Sequence, residues 1–154
     1  MPIVNIKKDV LEFLHGFSKI DKDDFYFEVL SLFPIACCEY SSMLLARFLI
    51  EEKGYDITDV LIIKGQSIVD VDQLHLWLNV SGVIVDITAG QFKEAENPII
   101  IDAHSSWHNN FFYELETYVP STDFKNYVDD FGELTLEKDY LMIVQHTHQN
   151  STLL

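Results

Sequence analysis

The sequence has few basic residues. It is 154 residues long and contains 10 lysines and arginines against 25 aspartates and glutamates, which gives a formal net charge of −15 at pH 7. A surface of this charge repels phosphate groups, so we expect no nucleic-acid partner. The acidic side chains give the protein a soluble surface and are also compatible with a basic partner protein.

Cysteine is scarcer still, because Cys37 and Cys38 are the only two. Neighbouring cysteines cannot form an ordinary disulfide, so disulfides do not hold this fold and we expect a reducing, cytoplasmic setting. The chain also lacks an apolar run of about 18 residues, and its first residues lack the apolar stretch of a secretion signal. We therefore expect no membrane span and no membrane targeting.

Glycine and proline are sparse and scattered, with six and four copies, and no repeat or Gly/Ser-rich linker divides the chain. Hydrophobic residues make up 48% of the sequence. A chain of this length and composition can bury one real core but is too short for two comfortable domains. We expect a single domain over residues 1–154.

Helical periodicity dominates the first third of the sequence. The spacing of Val10, Leu14 and Phe17 predicts one helix, and the less regular apolar spacing in residues 25–33 predicts a second. The clearest helix is predicted over residues 38–53, where an apolar stripe ends in a polar turn followed by glycine.

Strand-like patterns follow these helices. Alternating or continuous apolar runs predict strands at residues 59–64, 74–80 and 83–88, with shorter strands at 98–102 and 140–145. Ser81-Gly82 is the turn signal between the second and third of these strands. Helices followed by antiparallel strands indicate an α+β domain with the helices on one face or end of the sheet.

The hairpin segment HLWLNVSGVIVDIT, residues 75–88, places a histidine and an aspartate on one face. In a tight hairpin with an even loop, His75 and Asp86 are either directly opposite or diagonal neighbours, so their side chains can meet. Trp77, Ile84 and Thr88 share that face. A carboxylate that accepts from one ring nitrogen fixes the tautomer and leaves the other nitrogen free to act as a base.

Cys38 supplies a candidate nucleophile for this pair. The amides and dipole at a helix N-terminus stabilise a thiolate, and the same amides can hold a developing oxyanion. No glutamine lies just upstream to act as an oxyanion donor, so backbone amides are expected to carry that role. Cys37 remains the alternative nucleophile because it is the immediate neighbour of Cys38.

These motifs resemble the transglutaminase-like branch of the papain-like cysteine enzymes, in particular its small bacterial members. The likeness covers residues 33–92 and rests on F-P-x-x-x-C before the helix, H-x-W on one strand and D-x-T-x-x-Q-F after the next. It implies a papain-like α+β core in which the cysteine helix packs on an antiparallel sheet. It also implies that Cys38 is the nucleophile, His75 the base and Asp86 the residue that orients the base.

The resemblance implies a thiol enzyme that acts on an amide bond of a protein or peptide through an acyl-thioester. Peptidase, amidase, glutamine deamidase and acyl transferase reactions all share this intermediate, and the acceptor decides among them. Trp77 and Gln91 are candidate substrate-binding residues beside the triad. This chemistry requires no cofactor.

Two other interpretations of the sequence exist. The pairs His104/His108 and His146/His148 have spacings that suit metal ligands, but no third ligand set of recognised spacing accompanies them, so we expect no metal site. The alternative to an enzyme is a non-catalytic acidic binding protein, of an immunity or inhibitor type, that keeps the fold and holds a basic partner.

Overall fold

The computed structural model describes residues 2–95 and 97–152, with side chains as far as residue 148. The helices are α1 (Ile3–Ser18), α2 (Cys38–Glu51), α3 (Ser106–Phe111) and α4 (Thr135–Thr152). The strands are β1 (Val60–Ser67), β2 (Leu74–Val80), β3 (Val83–Asp86), β4 (Ile100–Asp102) and β5 (Phe112–Tyr118). Within the described ranges, no helix has both the length and the apolar character needed to cross a membrane.

The strands form one antiparallel sheet in the order β4-β3-β2-β1-β5. Helix α2 packs on β1 and β2, and α1 packs on both α2 and α4, so that all three helices share one core with one face of the sheet. Helix α3 contacts β5 and contributes to the core on the other face. The predicted α+β class and the antiparallel sheet are confirmed. The predicted packing of the cysteine helix on the sheet is also observed, through contacts of α2 with β1 and β2.

The larger core fills the space between the sheet and these three helices. Its side chains recur at helical spacing in the helices and at alternate positions in the strands, and they include Ile6, Val10 and Phe13 of α1, Leu44 and Phe48 of α2, Leu136 and Ile143 of α4, and Leu76, Leu78 and Val80 of β2. Helix α2 runs through the middle of this core, since every residue from 41 to 46 is buried. This burial on several sides fixes the position of the α2 N-terminus.

The β2–β3 hairpin turns at Ser81 and Gly82, as the sequence predicts. Their φ angles of 51° and 88° are left-handed, which suits the two-residue turns that match strand twist. The register pairs Leu78 with Val85 and Val80 with Val83. In this register His75 and Asp86 are diagonal neighbours on one face, which is one of the two arrangements that the sequence allows.

A second, smaller core lies on the opposite face of the sheet. Its buried members are Ile63, Trp77, Ala89, Ile100, Trp107 and Phe112. Because the side chains of a strand alternate between faces, His75 points to this side together with Trp77. Both faces of the central hairpin are therefore covered, and the histidine lies on the aromatic side.

Two sequence predictions about secondary structure need correction. The strand predicted at residues 140–145 is wrong, because this stretch belongs to α4, where Leu136, Tyr140 and Ile143 follow a helical spacing into the core. A short continuous apolar run does not distinguish a strand from a buried helix. Residues 25–33 form only a 3₁₀ turn, Glu28–Leu32, and strand β5 was not predicted at all.

Candidate active site

Cys38 is the first residue of α2, and it is half-buried. The preceding residue, Cys37, is fully buried, and this burial is the main reason why the pKa of its thiol is raised to about 12. The neighbouring Cys38 raises that pKa further, and the interaction with Ser41 lowers it by less. A thiol held neutral and away from solvent is a poor nucleophile. As a candidate nucleophile, Cys38 is therefore favoured over Cys37.

Ala36 allows the chain to turn into α2. Its φ angle is 62°, in the left-handed region that favours glycine, so an alanine there is strained but carries the smallest side chain that an L residue can offer. Cys37 is the N-cap residue of α2, and its side chain makes no capping hydrogen bond. Amides at such an end are available to bind an anion or an oxyanion.

His75 and Asp86 are joined by a short hydrogen bond, with 2.6 Å between Nε2 and Oδ2, and both side chains are completely buried. The other carboxylate oxygen, Oδ1, accepts from the backbone N–H of Thr88 at 3.0 Å. An ionised carboxylate can only accept hydrogen bonds, so His75 must carry a proton on Nε2. The other ring nitrogen of His75, Nδ1, is therefore available for other hydrogen-bond partners.

Cys38 and Gln91 meet the free edge of His75. The Gln91 side-chain amide lies 3.3 Å from Nδ1, and the Cys38 side chain is close enough to the ring to contribute to the raised pKa of His75. The structure thus brings together Cys38, His75 and Asp86 in the order that the sequence predicts for a triad. It also places Gln91, a predicted substrate-binding residue, beside them.

The pKa values of the pair shift in opposite directions. Burial alone lowers the pKa of His75, but the charge of Asp86 and hydrogen bonds to Asp86 and Cys38 outweigh it and raise that pKa above its ordinary value. Burial alone raises the pKa of Asp86, but the charge of His75 and hydrogen bonds from His108 and His75 outweigh it and lower that pKa. An imidazolium facing a carboxylate is thus the favoured state at neutral pH.

His108 is a member of the site that the sequence reasoning missed. Its Nε2 lies 2.8 Å from Asp86 Oδ2, the same oxygen that accepts from His75. Its other ring nitrogen, Nδ1, is hydrogen-bonded to Ser105, the residue that caps the N-terminus of α3. The sequence does contain a signal, because a serine three residues before a histidine at a helix start is suited to such a contact.

Aromatic rings enclose the buried side of His75. The ring centroids of Phe92, Phe112 and Trp77 lie 4.8, 5.5 and 5.6 Å from that of the histidine. Trp77 also packs on His108 at 4.5 Å and is only 4% exposed. The structure gives Trp77 a packing role behind the histidines, and its contact with substrate stays a prediction.

A cleft of about 560 Å³ opens beside Cys38, on the face of the sheet that carries α2. Its lining combines the thiol with aromatic, apolar and charged side chains, namely Tyr40, Lys64, Leu76, Glu116 and Tyr118. His75 is not among the lining residues. A molecule in this cleft would therefore contact Cys38, whereas His75 lies outside the lining.

His75, Asp86 and His108 are also residue types that bind transition metals. Their ligand atoms lie within 4.8 Å of one another, and they form the only such cluster of His, Cys, Asp and Glu found in residues 2–95 and 97–152. However, both imidazoles point a nitrogen at one carboxylate oxygen at hydrogen-bond distance, whereas a metal would need those nitrogens deprotonated and turned to an ion between them. The arrangement fits a proton-linked network better than a metal centre. His104, His146 and His148 take no part in the cluster.

The comparisons with known proteins identify no relative. No protein-family model matches the chain, and neither a curated protein nor a solved structure matches it. The chemistry of the site is therefore inferred from the geometry of these residues together with the sequence motifs.

Proposed function

We propose that this protein is a thiol enzyme with a transglutaminase-like, papain-like core, which acts on an amide bond of a protein or peptide in the cytoplasm. One observation carries the proposal: the buried ring of His75 is hydrogen-bonded to Asp86 through Nε2 and also interacts with the side chain of Cys38. A nucleophile, a proton carrier and an orienting carboxylate in contact are what covalent catalysis at a carbonyl requires.

Acylation begins with attack of the Cys38 sulfur on the carbonyl carbon of the bound amide. The carbonyl oxygen gains the negative charge, and the amides at the start of α2 stabilise it. Because its pKa is raised, His75 is protonated at neutral pH and can donate its Nδ1 proton to the departing nitrogen. The carbon–nitrogen bond then breaks, the amine leaves, and the acyl group remains on sulfur as a thioester.

Deacylation reverses these roles. His75 Nδ1, now without its proton, accepts one from an incoming water or amine as that acceptor attacks the thioester carbonyl. The carbon–sulfur bond breaks, and the sulfur and the protonated His75 return to their starting states. Water gives hydrolysis or deamidation, and an amine gives acyl transfer.

The cleft supports a peptide as the substrate class. Tyr40 and Leu76 offer apolar contacts, while Lys64 and Glu116 offer both signs of charge near the sulfur. Such a mixed lining suits a polypeptide segment better than a purely apolar ligand. The alternative function, an acidic protein that only holds a basic partner, is compatible with the net charge of −15 but gives no role to a cysteine beside the buried His75–Asp86 pair.

Intact-mass spectrometry after mixing with an activated acyl ester tests the proposal. We expect one acyl group per chain at early times, and its loss when a primary amine or further time is supplied. Cys38→Ala should abolish the added mass, whereas Cys37→Ala, a matched change one residue away, should retain it. Equal acylation of both variants would overturn the assignment of Cys38, and no acylation of the unmodified protein by esters or thioesters would favour the binding-protein alternative.

A further inference from the structure

Asp86 Oδ2 is shared by two imidazole rings. His75 Nε2 lies 2.6 Å from it and His108 Nε2 lies 2.8 Å from it, and all three side chains are at most 3% exposed. Because burial lowers the local dielectric, each of these contacts has a large effect on the other two groups. A Cys-His-Asp site needs only one of the two histidines, so the second one requires its own explanation.

Ser105 fixes the protonation of His108. The backbone N–H of His108 donates to Ser105 Oγ at 3.3 Å, which leaves the serine hydroxyl proton free for the ring nitrogen Nδ1. A nitrogen that accepts a hydroxyl proton is unprotonated, so the neutral ring carries its proton on Nε2 and donates it to Asp86. The chain of donors therefore runs from Ser105 through His108 to Asp86, and it meets His75 at the same oxygen.

We propose that His108, held by Ser105, is a positioning residue that shares the charge of Asp86 and thereby limits how tightly the carboxylate holds His75. The catalytic consequence rests on the proposed function, whereas the hydrogen-bond network itself does not. A carboxylate that accepts from His108 has less negative charge to offer to His75, so the His75 imidazolium can release its proton more readily when deacylation requires it.

The direction of the effect follows from the groups around His75. The ionisable side chains near His75 belong to Cys38 of α2, Asp86 of β3 and His108 of α3. The remaining neighbours are Gln91 and aromatic rings. Removing the His108 donor concentrates the Asp86 charge on His75, which favours the imidazolium. Replacing the ring with a glutamine, whose Nε2 can donate from a similar position, should largely preserve the sharing.

Nitrogen NMR of the imidazole rings tests the network without any substrate. In the unmodified protein we expect Nε2–H protons on both His75 and His108, with each shifted downfield by a strong hydrogen bond. In His108→Leu, the pKa of His75 should rise by roughly one unit, and in His108→Gln it should rise much less. Ser105→Ala should release the His108 tautomer and give an intermediate shift, which keeps the proposal testable if the leucine variant does not fold.

Acylation kinetics then separate this proposal from the proposed function. The rising, acidic limb of the deacylation profile, where His75 loses its proton, should move to higher pH in His108→Leu and return in His108→Gln. An unmodified protein that shows the predicted tautomers but forms no acyl-enzyme would contradict the enzyme and leave the network intact. An unchanged His75 pKa in folded His108→Leu would overturn the positioning role, as would loss of both Nε2–H protons on stoichiometric Zn²⁺ binding.

Discussion

Asp86 is the residue on which the proposed site most depends. Its buried carboxylate accepts from His75 and His108 on one oxygen and from Thr88 on the other. Leaving any of these donors without its acceptor in a buried position is expensive, so the carboxylate is both a structural and a chemical element. A substitution here should affect folding and turnover, and the two effects can be separated by their size.

Asp86→Asn should lower acylation by an activated ester on the order of ten- to a thousand-fold. The amide keeps the shape but can turn a donor toward the ring of His75, which already carries a proton on that side. The free energy of unfolding should fall by roughly 1–3 kcal/mol, as urea titration would measure. Asp102→Asn, an exposed carboxylate on β4, is the matched control. Normal acylation by a folded Asp86→Asn protein would leave only a Cys-His pair.

At the scale of the residue, the sequence predicts the meeting of Cys38, His75 and Asp86, whereas its signal for His108 points only to a local contact with Ser105. The first three belong to local patterns, a helix start and an alternating hairpin, whose periods determine where the side chains point. His108 reaches Asp86 from 22 residues further along the chain, through a helix that packs on the sheet. A contact of that kind depends on tertiary packing, which no local period encodes.

Among the elements, β1 affects the site through a glycine that has no side chain. Gly65 pairs with His75 across the β1–β2 ladder, and a Cβ added there would lie 2.5 Å from the Trp77 ring. The tryptophan packs closely over this strand and in turn contacts His108 at 4.5 Å. The lack of a side chain at Gly65 therefore allows Trp77 to pack against β1 beside both histidines.

Gly65→Ala should therefore displace Trp77 and disturb both histidines. We expect a loss of roughly 1–3 kcal/mol in the free energy of unfolding, from overpacking, and slower acylation. Trp77→Phe in the same chain removes the part of the ring that clashes, so the double variant should recover stability relative to the sum of the single changes. Strict additivity of the two changes in urea titration would show that the alanine does not meet Trp77.

The elements also show which patterns a sequence specifies well. Helix α2 and the β2–β3 hairpin were predicted nearly to the residue, because each combines a clear period with an end signal. The apolar residues of α4 from Tyr140 onward are also compatible with a short apolar strand, so the pattern does not identify a helix. Strand β5 lies at the edge of the sheet, and most of its side chains are exposed. Edge strands bury little, so their apolar pattern is weak.

For the whole molecule, the site lies where its two cores approach each other. Cys37 belongs to the core on the helix side and Cys38 packs against it, whereas Trp77 and the rings around His75 belong to the aromatic side. The sheet separates these cores, and the open end of α2 lets the thiol reach the histidine. Assembly of the site therefore requires both cores to be formed.

Global stability should depend on pH through the His75–Asp86 pair. The pKa of His75 in the folded protein is raised above 6.5. The stabilisation that His75 contributes to the fold is therefore complete below pH 6.5 and is lost as the pH rises through this raised pKa. The folded pKa of Asp86 is lowered below 3.8, so its stabilisation is present above that pH and is lost as the pH falls toward the folded value.

Urea titrations of the unmodified protein and His75→Gln across pH measure this contribution. The difference in unfolding free energy between them should be largest between about pH 4 and 6 and should shrink as the pH rises above the ordinary value for histidine. Because Cys37 is present in both proteins, its own titration cancels in the difference. A difference that stays constant or grows up to pH 9 would show that His75 is not held as an imidazolium.

The most direct measurement of the central claim is the rate at which iodoacetamide alkylates Cys38 at neutral pH, with and without His75. Both cysteines fall on one tryptic peptide, between Lys22 and Arg47, so the rate is best taken by intact mass in a Cys37→Ala background. In the proposed mechanism His75 activates the sulfur of Cys38, so His75→Ala should slow alkylation at least about tenfold while the protein remains folded. Equal rates in the two folded proteins would contradict the claim that His75 activates Cys38.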